Sequence, residues 1–397
     1  MAEEIENKIS IMHEKEESIM YLRDYSFFLL SLMDTEIITN RIILKKVMSN
    51  LKKINQNIVT MSYDVSLWYG FSGIGMLCKE LKRYGLVENF YFQITERVEN
   101  LSKKYYLIEP SQLANLNNHR WFDLFYGITG TIKFLYESKR YQTANELAEF
   151  LADLVLESQF SRLDSPFMEN TNCYDFNKFQ KHNEKMINLD ISHGIASVLY
   201  ILKESKRRRP HSWSSKIDNA INKLEKLYIF KFNSRDNYFD KEIFKESKAG
   251  LGCLRLTWSR GDIPILLTLL KEDKEKGQGW FDKDKFSNKV LEKIRDFNDI
   301  KPLNFCYGKM GVCFQLKILN EFYEKIYGSL CVPECIIDEM ETSIVDSLDV
   351  NSFLLTKDVN DLNIVDGLFS IITPLLIAKK NPTQLSNSYL AKIFFID

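Results

Sequence analysis

Apolar residues along this chain recur three and four positions apart, the spacing that gathers them on one face of a helix. Tyr21 to Met33 and Ile42 to Leu51 follow that period, as do Thr143 to Glu157 and Val290 to Phe297. Strand-like alternation is rare. The one Asp-Gly pair that could close a hairpin, Asp366-Gly367, runs straight into another helical apolar stretch. Charged segments such as Lys271 to Lys276 read as solvated connections between helices. The basic run Lys206-Arg207-Arg208-Arg209, ending at Pro210, reads as a solvated loop rather than a phosphate site. The pattern predicts an all-α protein.

A second pattern lies over the first. A short glycine-bearing segment followed by an apolar helix occurs six times. The copies are Trp68-Tyr69-Gly70-Phe71-Ser72-Gly73, Phe125-Tyr126-Gly127-Ile128-Thr129-Gly130, Ser192-His193-Gly194-Ile195-Ala196-Ser197, Ser259-Arg260-Gly261, Cys306-Tyr307-Gly308-Lys309-Met310-Gly311 and Val365-Asp366-Gly367-Leu368-Phe369-Ser370. Their leading glycines are 57, 67, 67, 47 and 59 residues apart, room for two long helices per copy. The first glycine lets the chain turn sharply where a Cβ would clash. The small residue three places later permits close approach of a neighbouring helix. Six such helix pairs can close into a ring, an α/α toroid, with six helix starts at one end. Those starts bring N–H groups and partial positive charge to a common mouth, so polar residues beside the glycines are the natural site candidates.

Composition supports the helical reading. The chain has 397 residues with 16 Gly and 8 Pro, about half the usual share of turn-formers. That excludes collagen-like and low-complexity chains and disfavours a turn-rich β protein. Lys plus Arg number 53 against 54 acids, which gives no electrostatic case for nucleic acid. The acidic N-terminus lacks a signal-peptide core, and no apolar run is long enough for a transmembrane segment. Seven cysteines, an odd number, are then expected as reduced thiols in a cytoplasmic protein. Cys331 and Cys335, four apart, lack a second pair to complete a metal finger. Residues 1–60 are expected to form an N-terminal helical segment packed on the barrel, with 61–397 forming the toroid, or 1–397 a single domain.

In their order, these motifs resemble the lanthionine synthetase C family, the LanC-like cyclases of lanthipeptide maturation. The resemblance spans roughly Leu67 to Leu376. It implies an α/α toroid that adds a peptide cysteine thiol to a dehydroalanine or dehydrobutyrine of the same dehydrated precursor peptide. It further implies a zinc ion held by two Cys and one His, and work beside a lanthipeptide dehydratase and an export transporter. That places the protein in the cytoplasm, alone or attached to a membrane-bound biosynthetic complex. Phe122-Asp123-Leu124-Phe125-Tyr126-Gly127 resembles the family's Asp motif and Ser192-His193-Gly194 its His-Gly motif. Asp123 and His193 are thereby the acid/base candidates. Arg255 resembles the Arg preceding the first zinc motif.

The zinc motifs themselves are degenerate. Trp258-Ser259-Arg260-Gly261 puts Ser259 in the first ligand position, and Cys306-Tyr307-Gly308 puts Tyr307 in that of the His. Cys306 alone survives. A catalytic zinc needs three protein ligands and an open position, and soft thiolate or imidazole groups suit it. Ser and Tyr side chains stay protonated near neutral pH and are poor substitutes. Cys253 and Cys313 lie close enough in sequence to be considered as replacements, although helical spacing sets Cys313 in the core. Zinc is expected to be weak or absent, and any catalysis zinc-independent. Arg260, beside the vacated position, can then stabilise a thiolate or an enolate. Two further readings stay open. One is a non-catalytic member that binds the precursor or a dehydratase. The other is a carbohydrate-active α/α toroid using paired carboxylates drawn from Asp123, Asp262 and Asp366.

Overall fold

A computed structural model describes residues 18–33, 40–58, 64–108, 121–160, 165–167, 169–170, 185–208, 214–234, 242–244, 254–270, 280–295, 297–348, 362–380 and 385–395. The helices are α1 Ile19–Ser31, α2 Asn40–Asn57, α3 Phe71–Lys82, α4 Glu88–Tyr106, α5 Ile128–Glu137 and α6 Tyr141–Glu157. They continue with α7 Ile195–Arg208, α8 Ser215–Ser234, α9 Asp262–Leu270, α10 Lys283–Ile294, α11 Lys309–Tyr327, α12 Glu334–Ser347, α13 Phe369–Lys380 and α14 Tyr389–Ile393. Each apolar stretch singled out by its period lies mostly in a helix, but Leu32 and Met33 fall in the turn after α1 and Phe297 in a short 3₁₀ turn after α10. The Lys271 to Lys276 stretch lies outside the described residues.

The chain divides into two compact units, Asp64–Phe286 and the pair of segments Met1–Tyr63 and Ser287–Asp397. In the first, helices alternate in character. α3 and α5 follow a glycine turn and are enclosed on all sides: all ten residues of α5 are buried. α4 instead buries only Ile94, Thr95, Val98, Ser102 and Tyr106, a stripe three and four apart, and covers its neighbours from outside. α6 covers α5 in the same way through Ala144, Leu147, Ala148, Leu151 and Val155.

Successive turns of this unit are joined edge to edge. Trp68 N donates to Phe125 O at 2.8 Å, Leu124 N to Ser192 O at 3.3 Å, and Ser192 Oγ to Ser259 O at 3.1 Å. The bonded residues lie two or three places before each leading glycine, so the repeat in sequence is a row of turns in space. Among the described residues the otherwise helical architecture is interrupted once, by the antiparallel strands β1 Glu169–Asn170, β2 Lys185–Asn188 and β3 Glu242–Phe244, in the order β1-β2-β3. β2 delivers the chain into the third turn.

The turn glycines act by close approach. Gly70, Gly127 and Gly308 are helix N-caps in extended conformation, with φ of −105°, −108° and −117°. A Cβ on Gly194 would lie 2.5 Å from both backbone N and O of Asp190. The residue three later departs from expectation. A Cβ on Gly130 would overlap the Leu124 carbonyl oxygen, and one on Gly311 that of Phe305. What must stay small there is mainly the gap between the helix and its own incoming turn, not the gap to a second helix.

The basic run is a correction. Lys206, Arg207 and Arg208 form the last turn of α7, not a loop. Arg208 Nε and Arg207 Nη2 donate to Glu204 Oε1 at 2.5 and 2.6 Å, and Arg208 Nη2 reaches Glu137 Oε1 at 2.6 Å. Two buried carboxylates at the ends of α5 and α7 require these cations, which also suit the negative end of α7. Arg209 and Pro210 lie outside the described residues.

In the second unit, α1 packs on α2 and α13. Tyr25, Phe28 and Phe369 stack there, with Phe28 and Phe369 centroids 4.8 Å apart. The turn at Cys306 is joined to that at Val365 by Cys306 N donating to Val365 O at 3.0 Å.

Candidate functional site

Five of the six turns are built on one device. The residue four places before the leading glycine carries an oxygen that accepts the N–H of the residue just before that glycine. Ser66 Oγ accepts from Tyr69 N at 3.2 Å, Asp123 Oδ1 from Tyr126 N at 2.6 Å, and Asp190 Oδ1 from His193 N at 2.9 Å. Asn304 and Asn363 do the same for Tyr307 and Asp366, each at 2.9 Å. These are short polar side chains folding back on their own backbone. The fourth turn has Thr257 in that place.

The device aims one side chain outward. The residue preceding the glycine keeps access to solvent in all six turns: Tyr69, Tyr307 and Asp366 are exposed, Tyr126, His193 and Arg260 half-buried. In the Asp64–Phe286 unit this gives a row of Tyr69, Tyr126, His193 and Arg260 on adjoining turns. Of the sequence candidates, His193 and Arg260 lie in the row, whereas Asp123 and Arg255 lie beneath it.

Asp123 is wholly buried and serves three partners, of which Tyr126 N is the first. Its Oδ1 also accepts the Gly127 N–H at 3.0 Å, so it caps the start of α5. Its Oδ2 lies 2.7 Å from His193 Nδ1. An ionised carboxylate only accepts, so the proton on this bond belongs to Nδ1, and Nε2 is the nitrogen that can take up a proton. The imidazole is also clamped on its faces. The Tyr126 ring stacks on it at 5.8 Å and 4°, and Phe125 leans against it at 5.5 Å. Phe125 rests edge-on against Trp258 and Trp68 beneath.

Beyond His193 the fourth turn is bonded through Ser192 and Ser259, both buried, with their hydroxyl oxygens 2.8 Å apart. Arg255 is tied to Asp262: its backbone N donates to Oδ2 at 2.8 Å and its Nη2 to Oδ1 at 3.0 Å. Asp262 N donates in return to Arg255 O at 2.9 Å. Arg255 thus supports the turn that carries Arg260, with its side chain about one-fifth exposed.

Cys306 and Tyr307 belong to the other unit. The Cys306 thiol is buried and the Tyr307 side chain exposed. Among the described residues no three His, Cys, Asp or Glu side chains come together as a metal-holding group. The hydroxyl at the first ligand position is held by Ser192, and the only soft donor of the three is Cys306. This donor set does not fit a zinc ion. Cys313 is fully buried in α11, and burial pushes its thiol far above the usual range, which unsuits it as a replacement ligand. Cys253 lies outside the described residues.

Reading the motifs one at a time overlooked Tyr126 and Asp190. Both have a signal in the sequence: their fixed offsets of one and four places before a leading glycine, shared by residues of similar chemistry in the other copies. The offsets gain meaning only once the turns are aligned in space.

Comparison with known proteins supports the architecture. The chain superposes on a solved structure named nisin cyclase with a TM-score of 0.67 at 14% sequence identity, over 98% of this chain and 97% of that one. That likeness shows the fold expected from the six-fold repeat, an α/α toroid. No curated protein matches the sequence. The family model described as lanthionine synthetase C-like protein matches residues 25–343, and the chain therefore belongs to the lanthionine synthetase C-like family.

Proposed function

We propose that this protein is a lanthipeptide cyclase that closes thioether rings in a dehydrated precursor peptide, with His193 as acid/base and without zinc. The observation that carries the reading is the Asp123–His193 pair, a partly exposed imidazole oriented by a buried carboxylate. A free cysteine thiol titrates near 8.5, so only a few per cent is thiolate at pH 7. His193 Nε2 takes the thiol proton as the sulfur attacks the β-carbon of dehydroalanine or dehydrobutyrine. A C–S bond forms and the π pair of the alkene moves onto the α-carbon and carbonyl as an enolate. The imidazolium returns its proton to the α-carbon. The product is an isomer of the substrate, so no oxidant, reductant or leaving group is needed.

Arg260, on the adjoining turn at the same repeat position, supplies a cation for the thiolate and the enolate. Arg255 acts through it, by bracing its turn on Asp262. A precursor already dehydrated requires a dehydratase upstream, an export transporter is the partner proposed downstream, and a reaction of free thiols suits a reducing cytoplasm. Asp262 is occupied by Arg255 and Asp123 by His193 and a helix start, which argues against a carboxylate pair free for glycoside hydrolysis.

The loss of two zinc donors favours one other reading, a member of the family that binds the precursor without closing rings. Counting free thiols separates the two. Purified protein is mixed with dehydrated precursor, and alkylation followed by mass spectrometry reports the thiols left. Thiol loss in the wild type that disappears in His193→Ala supports the cyclase. Peptide binding with full thiol retention refutes it.

A further inference from the structure

Tyr69 is the outermost member of the row and 46% exposed, a large aromatic side chain in solvent beside turns that otherwise face inward. It is not loosely placed. Its ring stacks on Tyr126 with centroids 5.3 Å apart and planes 18° apart, and Tyr126 stacks on His193 in turn. Both backbones are pinned, Tyr69 N on Ser66 Oγ and Tyr126 N on Asp123 Oδ1, and the two turns are joined by the Trp68–Phe125 bond. Three rings from turns far apart in sequence thus form one ordered column, ending at the imidazole. Core filling does not by itself account for this, because the outer ring is nearly half exposed.

A held, half-exposed tyrosine pair offers apolar area at little cost in conformational freedom, the property that enriches Tyr in binding surfaces. We propose that Tyr69 and Tyr126 form an aromatic ledge that binds a planar side chain of the precursor peptide and so selects which cysteine reaches His193. The inference rests on the cyclase reading and names a determinant of its substrate choice. The ledge has a built-in ruler. The centroid steps of 5.3 and 5.8 Å set Tyr69 at most about 11 Å from the imidazole, roughly three residues of extended peptide. The favoured substrate therefore carries Phe, Tyr or Trp about three residues from the reacting cysteine.

The test is binding, so that it stands whether or not rings close. Synthetic fluorescent peptides carry one dehydroalanine, a serine in place of the cysteine to prevent reaction, and Phe three residues before it, three after it, or nowhere. Their affinities for wild type, Tyr69→Phe and Tyr69→Ala are measured by anisotropy. One Phe peptide is expected to bind roughly three- to tenfold tighter than the Phe-free peptide. Tyr69→Phe retains that advantage and Tyr69→Ala abolishes it, so that the Phe and Phe-free peptides bind the alanine variant alike. An unchanged thermal midpoint confirms that the Tyr69→Ala chain is folded. The ledge is overturned if no peptide binds, if Phe confers no advantage, or if Tyr69→Ala weakens all peptides equally. Failure of the cyclase reading looks different: thiols of a cysteine-bearing peptide would persist while the Phe preference remained.

Discussion

Asp123 divides its carboxylate between a backbone and a side chain. Oδ1 closes the turn on Tyr126 N and Gly127 N, and Oδ2 lies 2.7 Å from His193 Nδ1. The same turn position in other copies carries Ser66, Asp190, Asn304 and Asn363, which supply the first function alone or with other neighbours. The second function requires an acid. Asp123→Asn keeps an oxygen for the cap but can present an N–H to Nδ1, moving the imidazole proton to Nε2 and blocking the base. Thiol consumption should fall by about 10²–10⁴, with little change in denaturation midpoint. Asp123→Ala should lose activity and, in addition, about 1 kcal/mol of stability through the missing cap. An asparagine variant that remains active would show the cap to be the whole role.

Gly130 should tolerate no side chain. A Cβ there meets the Leu124 carbonyl and comes within 2.8 Å of Leu67 Cβ, with no flexible side-chain end to give way. Gly130→Ala is expected to cost about 1–3 kcal/mol in urea denaturation, the cost of overpacking. Gly311→Ala, placed alike against Phe305, should behave alike. A neutral result at either position would remove the close-approach explanation for that turn.

The extent to which the chain could be read follows from what each feature depends on. Helix spans are set by local periodicity, and the stretches at Tyr21, Ile42 and Thr143 emerged from it with ends moved by a few residues. The leading glycines could be placed because a turn into a helix is also local. Contacts between turns were hidden. Asp123 and His193 are 70 residues apart, and no periodicity indicates that the carboxylate has an oxygen left for the imidazole. The basic run at Lys206 pairs partly within its own helix, through Glu204, but its link to Glu137 on another helix is not readable from spacing.

Thiol chemistry should separate the described cysteines. Cys335 is exposed, whereas Cys78, Cys306, Cys313 and Cys331 are buried. Burial pushes the Cys331 thiol up to about 11 and those of Cys78 and Cys313 higher still. In the native protein at pH 8, Cys335 should be alkylated first among these five, and Cys78 and Cys313 only on unfolding. Peptide mapping by mass spectrometry reads the order. Rapid native labelling of Cys313 would contradict its place in the core and reopen it as a metal ligand.

Chelation should leave the activity intact. Ser259 is bonded to Ser192, and only one soft donor remains among the three family ligand positions. Dialysis against a chelator should therefore change neither thiol consumption nor the denaturation midpoint, and purified protein should carry far less than one zinc per chain. Stoichiometric zinc lost in Cys306→Ala would refute the metal-free reading.

The last prediction concerns the ion cluster where α5 meets α7. Lys133 is wholly buried, donates to Tyr200 Oη at 2.7 Å, and has Glu137 and Glu204 carboxylate oxygens at 3.8 and 3.9 Å. Glu137 also pairs with Lys79 and Arg208. Desolvation alone would raise the Glu137 carboxyl, but Lys133, Lys79 and Arg208 together outweigh it and hold it below its ordinary 4.5. A carboxyl depressed in the folded state stabilises the fold above its unfolded pKa. That contribution is lost as pH falls from about 4.5 through the lower folded value. Glu137→Gln should therefore lower stability at pH 7 and flatten the decline between about pH 5 and 3, where wild-type stability drops. Removing one partner of a buried pair costs about 3–5 kcal/mol, and the cost should shrink toward low pH as the wild-type carboxyl protonates. Urea midpoints for both proteins across that range decide the matter: parallel curves would mean that Glu137 does not carry the acid response.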